Sequence, residues 1–109
     1  MGVAAYVDCG PDGAEDTVLV AGQSAVDKYW MPLIRGCGLR LLDVAFTGGL
    51  SVTGEYYADF VSEVRTILAK FEAMRSTSPD LDDVIGRGAR MLETLERHPP
   101  GSGCQVYVG

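Results

Sequence analysis

Tyr57, Phe60, Val61, Val64, Ile67, Leu68, Phe71 and Met74 recur at intervals of three and four. That spacing puts them on one stripe of an α-helix running from about Glu55 to Arg75. Each large residue of the stripe is worth roughly 1.5–3 kcal/mol when buried, so the helix needs a sheet or another helix to cover it. A chain of 109 residues has to find that cover within a single domain, residues 1–109, because two domains would each be too small for a core. Thr53 is the expected N-cap. Glu55 and Asp59 sit near the positive end of the helix dipole, and Arg65, Lys70 and Arg75 lie toward the other end.

The nearest apolar segment upstream is Leu39–Phe46. Read as a strand, it places Leu42, Val44 and Phe46 on one face, and Gly48-Gly49 then permits a sharp change of direction. Asp43 points away from that face. It is either a solvent-facing residue of a one-sided sheet or, if the second face is covered, a buried carboxylate with a shifted pKa.

The remaining elements follow in order. Val3–Cys9 and Thr17–Ala21 are rich in β-formers and flank Gly10-Pro11-Asp12-Gly13, a turn, so they form a hairpin with an acidic tip. Ser24 with Asp27 resembles a capping box opening a helix that carries Val26, Tyr29, Trp30, Leu33 and Ile34. Pro32 makes this helix kink or restart near Met31, and Gly36-Cys37-Gly38 ends it. Tyr29, Trp30 and Met31 either pack in the core or line a ligand pocket. Ser78-Pro79 starts a third helix with Leu81, Val84, Ile85, Gly88, Leu92 and Leu95 inward. Gly88 permits close approach of another element, although glycine costs the helix about 1 kcal/mol there. Arg87, Arg90, Glu93 and Arg97 make a solvated, salt-bridged face. Pro99–Gly103 breaks the helix, and Cys104–Val108 alternates as a last strand. The order is β-β-α-β-α-α-β, a single α+β domain with an antiparallel or mixed sheet and helices packed on one face.

Several kinds of chemistry lack their residues. No apolar run approaches the length that spans a bilayer, and no basic segment followed by an apolar core opens the chain, so a cytoplasmic protein is expected. Three cysteines, Cys9, Cys37 and Cys104, are an odd number at wide spacing, which reads as reduced thiols. Neither CxxC nor HExxH occurs, nor a P-loop or GxGxxG. The single histidine, His98, ends a helix beside two prolines, where it complements the dipole. Cys104 follows it by six residues, without an oxyanion or base-orienting motif. The expectation is no catalytic residue, no metal and no cofactor. Asp8, Asp12, Gly13 and Asp16 match positions one, five, six and nine of an EF-type calcium loop, but Gly10 and Leu19 stand where two more ligands belong. The loop reads instead as a solvated hairpin tip or as an acidic contact surface.

The formal net charge is −6, and all of it resides in the first part of the chain. Met1–Glu63 holds nine acids (Asp8, Asp12, Glu15, Asp16, Asp27, Asp43, Glu55, Asp59, Glu63) against Lys28, Arg35 and Arg40, whereas six acids face six bases from Val64 onward. Such a field repels nucleic acid and steers cationic partners, or serves solubility alone. In its size, its acidity and the run Leu39–Met74, with Phe46-Thr47-Gly48-Gly49-Leu50 leading through Thr53-Gly54-Glu55 into the long helix, the chain resembles the small acidic immunity proteins that bacteria make against their own polymorphic toxins. The resemblance covers about a third of the chain. It implies a non-catalytic protein that blocks a nuclease or other toxin by occupying its basic cleft.

The expected contact residues are Asp8, Asp12, Glu15, Asp16, Glu55 and Asp59, with Tyr56 as an exposed aromatic anchor. The expected partner is a basic protein such as a toxin, with no role for nucleic acid or membrane. A competing reading is a small-molecule-binding protein or small enzyme, ferredoxin-like, with a pocket between sheet and helices lined by Tyr29, Trp30 and Tyr57. A third is a homo-oligomeric subunit built on an exposed apolar sheet face.

Overall fold

The two ends of the chain lie side by side in the middle of the sheet. The computed structural model describes residues 2–10 and 15–109. Four strands, Val3–Asp8 (β1), Glu15–Ala21 (β2), Leu50–Val52 (β3) and Gln105–Val108 (β4), form one antiparallel sheet in the order β2-β1-β4-β3. Side chains alternate across it as a pleated strand requires. Val3, Ala5, Val7, Val106 and Val108 are buried, whereas Tyr6, Asp8, Gln105 and Tyr107 are exposed on the opposite face. The helices therefore cover one face only, as expected for this α+β arrangement.

Four helices supply that cover. The first, α1, passes through Gln23–Ala25, a π-helical Val26–Trp30 and Met31–Gly36. The others are α2 (Arg40–Gly48), α3 (Tyr57–Met74) and α4 (Leu81–Arg97). Phe60, Val61, Val64, Ile67 and Phe71 of α3 join Trp30, Ile34, Leu81, Met91, Leu95 and the inward valines of the sheet in one continuous core. None of the helices is long and apolar enough to cross a membrane.

The long helix, α4 and three of the strands fall where periodicity places them. The segment Leu39–Phe46 does not. It is helical, the strand being Leu50–Val52 after Gly48-Gly49, so the observed order is β-β-α-α-β-α-α-β. Read with a helical period, Leu39, Leu42 and Ala45 share the buried face, and Val44, expected in the core, is 48% exposed. What stabilises the helix is remote. Glu63 on α3 accepts the backbone N–H groups of Leu41 (3.2 Å) and Leu42 (3.0 Å), satisfying two of the orphan donors of the first turn of α2. Asp43 is consequently a half-buried helix residue, and its carbonyl accepts the Thr47 hydroxyl at 2.6 Å.

The caps also differ from expectation. Gly22 rather than Ser24 precedes α1. Thr53 serves α3 through its carbonyl, which accepts the N–H groups of Tyr56 (3.0 Å) and Tyr57 (2.8 Å), not through its hydroxyl. Asp80 rather than Ser78 is the N-cap of α4. The interruption at Pro32 takes the form of the π-helical stretch, after which Pro32 sits in the first turn of a new α-helical segment, where its missing donor costs little.

Trp30 is a core residue, fully buried with its ring centroid 5.0 Å from Phe46 and 5.1 Å from Phe71. Its Nε1 has no hydrogen-bond partner among the described residues, a penalty of about 1–3 kcal/mol that burial of the indole outweighs. Gly88 makes room for it: a Cβ there would stand 2.6 Å from Leu68 Cδ2 and 3.1 Å from the indole ring.

Two substitutions test this packing. Glu63→Ala leaves the first turn of α2 uncapped and is expected to lower stability by roughly 1.5–3 kcal/mol in urea unfolding, with Glu63→Gln losing less because its amide oxygen still accepts. Gly88→Val forces a branched side chain against Trp30 and is expected to cost roughly 1–3 kcal/mol in the same measurement.

Candidate functional site

β1 ends, β2 begins, β3 ends and β4 begins at the same end of the sheet, because every neighbouring pair is antiparallel. That end collects most of the acids singled out from the sequence. Asp8 and Glu15 stand opposite one another across β1 and β2, with Asp16 next along the strand. The Asp8 carboxylate accepts the Gly10 N–H at 2.9 Å and the Asp16 carboxylate accepts the Thr17 N–H at 2.9 Å, and both side chains remain exposed. Glu55, Tyr56 and Asp59 lie at this end too, beyond β3 where Val52 leads into α3, and all three are exposed. They are separated from β2 by the width of the sheet, three strand spacings of about 4.8 Å each. Asp12 and the side chain of Glu15 lie outside the described residues, as do residues 11, 13 and 14 of the calcium-like loop.

Among the described residues, Asp8, Asp16, Glu55 and Asp59 enter no ion pair. The ion pairs are Arg65–Glu96 (3.0 Å), Arg75 with Glu72 (3.4 Å) and Asp82 (2.6 Å), Arg87–Asp83 (3.0 Å) and Arg97–Glu93. All belong to the second half of the chain, where charges already cancel, so the expected salt-bridged face of α4 is present. The acids of the sheet end are left to act outward.

The outer face of the sheet adds residues that the sequence reading passed over. Tyr6 and Tyr107 are directly paired across β1 and β4, with ring centroids 6.2 Å apart. They are 46% and 43% exposed, and Leu19 on β2 is 51% exposed. Alternation within each strand already put both tyrosines on the polar side, but their adjacency depends on which strands pair. Gly49 takes φ 89°, and a Cβ there would overlap the Tyr107 hydroxyl at 1.8 Å, so glycine is what lets the ring lie over the strand edge. Tyr56, the expected anchor, is 38% exposed but sits off this face, before α3.

The inner face of the same end carries a different cluster. The β1–β4 register ends at Asp8 opposite Gln105, and the next residue on each side, Cys9 and Cys104, form a disulfide with Cα atoms 3.9 Å apart. The expectation of three reduced thiols is thus corrected: only Cys37 is free, and it is exposed. His98, half-buried at the C-terminus of α4, donates its backbone N–H to Thr94 (3.1 Å) and Leu95 (3.3 Å) carbonyls. The Leu95 carbonyl also accepts the Tyr57 hydroxyl at 2.9 Å, which ties the start of α3 to the end of α4. Gly101 (φ 87°) and Gly103 (φ 86°) then fold the connector back. One ligand-capable atom each of Cys9, His98 and Cys104 lies within 4.8 Å of the others. A cleft of about 370 Å³ opens beside them, lined by Thr53, Gly54, Pro100 and Gly101 among others. Tyr57, Trp30 and Tyr29 line three different clefts.

No protein-family model, no curated protein and no solved structure matches the chain.

The disulfide joins residues 95 apart in sequence, and closing a loop of that size restricts the unfolded chain by about 4–5 kcal/mol in the chain-entropy model. Reduction by a phosphine is expected to lower the melting temperature by roughly 15–25 °C for a domain of this size. Calorimetry with and without reductant checks this. Cys9→Ser and Cys104→Ser variants should melt like the reduced protein in both conditions, and Cys37→Ser like the parent.

Proposed function

We propose that the protein is a non-catalytic binding domain, of the immunity or inhibitor type, that holds a basic protein partner against the uncovered face and acidic end of its sheet. The observation that carries this reading is the meeting of two features at one end of the sheet. Among the described residues Asp8, Asp16, Glu55 and Asp59 enter no ion pair; Asp8 shares the outer face with Tyr6, Tyr107 and Leu19, and the other three stand at the same end of the sheet, off that face. Uncompensated carboxylates steer a cationic surface into contact and set its orientation. Rigid aromatic side chains supply the contact area that lowers the dissociation rate, since tyrosine presents large amphipathic surface at little entropic cost.

A toxin with a basic active cleft is the partner class that best fits this combination, and nucleic acid is disfavoured by the same charge. Immunity-type action also places the protein in the cytoplasm. Disulfides there are uncommon and usually responsive to redox conditions, so Cys9–Cys104 would be exposed to reduction where the protein works.

A toxin gene directly upstream would identify the partner to purify; otherwise a partner captured from lysate at low ionic strength serves. Neutralising Asp8, Asp16, Glu55 and Asp59 together as amides is expected to slow association with that purified protein about tenfold at low salt and to flatten its salt dependence. Tyr6→Ala and Tyr107→Ala are expected to speed dissociation, each costing about 1–3 kcal/mol of binding while changing fold stability by less than about 1 kcal/mol. Affinity unchanged by the four amides would overturn the acidic-surface reading. Amide substitutions of Asp12, Glu15 and Asp16 separately decide whether the hairpin tip takes part.

A further inference from the structure

We infer that Cys9, Cys104 and His98 form a redox-gated site for a thiophilic divalent cation, with zinc the best match. The site is closed to metal while the disulfide is intact and opens when that bond is reduced.

Three observations meet at this place. The first is the ligand set: two cysteines and a histidine, with one donor atom of each within 4.8 Å of the others, a soft sulfur and nitrogen combination that selects zinc over harder cations. In a tetrahedral zinc site with Zn–S near 2.3 Å and Zn–N near 2.0 Å, ligand atoms stand roughly 3.5–3.8 Å apart. The sulfurs must part from bonding distance and the imidazole must close by no more than about 1 Å, adjustments within the reach of side-chain rotation. The second is how the ligands are held. Cys9 and Cys104 lie one residue beyond the last β1–β4 pair, Asp8 opposite Gln105, so the ladder as well as the disulfide keeps their backbones close. His98 is fixed by the α4 C-terminus, by the Tyr57–Leu95 bond beside it and by the folded connector at Gly101 and Gly103. Both sulfurs thus stay near the imidazole when the bond is cleaved. The third is the cleft next to Cys104 and His98. Three protein ligands leave one position of a tetrahedron, and this cleft gives water or a small ligand access to it, the arrangement of an open site rather than a closed structural one.

The chemistry balances in two steps. A dithiol reductant gives two electrons and two protons to the Cys9–Cys104 bond and becomes a disulfide itself, leaving two thiols. The cation then displaces both thiol protons into solvent and binds the two thiolates and the neutral imidazole. Two thiolates cancel the divalent charge, and Asp8, next in sequence to Cys9 and exposed at the same sheet end, favours approach of a cation.

The test uses the full chain carrying Cys37→Ser, which removes the exposed free thiol. Cobalt(II) is titrated into oxidised and phosphine-reduced, desalted samples under anaerobic conditions, with absorbance and far-UV circular dichroism recorded together. The oxidised protein is expected to show no cobalt spectrum. The reduced protein is expected to bind one cobalt per chain, with a thiolate charge-transfer band in the near ultraviolet and intense tetrahedral bands in the red, both bleached by one equivalent of zinc. Cys104→Ser should abolish these bands, and His98→Asn should weaken binding by at least about tenfold while retaining a thiolate band. If reduction unfolds the chain, recovery of the native dichroism on adding zinc supports the site. Failure of zinc to restore it, or a folded reduced protein without a thiolate–cobalt band at millimolar metal, overturns the proposal. His98→Asn binding as tightly as its parent overturns the assignment of histidine as a ligand.

Discussion

The pairing of the first strand with the last is the contact on which the other features of this molecule depend. It joins the β1–β2 pair to the β4–β3 pair, brings the chain ends together and fixes one register, in which Tyr6 meets Tyr107 and Asp8 meets Gln105. Because side chains alternate in a pleated strand, the same register decides two different surfaces at once. Even steps from Tyr6 put aromatic and acidic groups outside, and odd steps put valines and then the cysteine pair inside. A slip by one residue would turn the tyrosines inward and the valines outward, and the large cost of that exchange is what holds the register.

The helical layer is arranged so that its charges are spent internally. Arg65, Arg75, Arg87 and Arg97 face acids on α3 or α4, and exposed pairs of this kind contribute little to stability. Their larger consequence is electrostatic: they neutralise the second half of the chain and leave the net negative charge to the first. Glu63 is the exception among the early acids, since it is committed to the α2 N-terminus, where two charge-assisted bonds replace a local cap. Asp27 and Asp43 lie on α1 and α2, away from the sheet end. The outward-acting charge that remains is the group at the end of the sheet, beside the tyrosine pair.

The disulfide gives the same sheet end a second property. It bridges strands that are already paired, so its contribution falls mainly on the unfolded chain, by closing nearly its full length. In the folded state hydrogen bonds of the β1–β4 ladder and the underlying valines hold the two cysteines near each other independently of the covalent bond.

Much of the architecture was legible in the chain itself. The stripe of α3, the inward face of α4 with its gap at Gly88, the first hairpin and the alternating terminal strand each express a period that any apolar surface can satisfy, so a local window suffices. Leu39–Phe46 resisted because it fits two periods: Leu42, Val44 and Phe46 alternate, while Leu39, Leu42 and Ala45 repeat helically. The choice was made by Glu63, twenty-two residues beyond Leu41, and by Leu50–Val52 taking the edge beside β4. The acids, the tyrosines and the cysteines were visible one by one, but not which would be neighbours. Composition and periodicity determined the class of fold, the principal helices and the sign of the surface. Only strand pairing, whose energy depends on what lies opposite rather than on what lies adjacent, decided that the tyrosines share a face and that Cys9 meets Cys104, and only the docking of the α4 C-terminus brought His98 beside them.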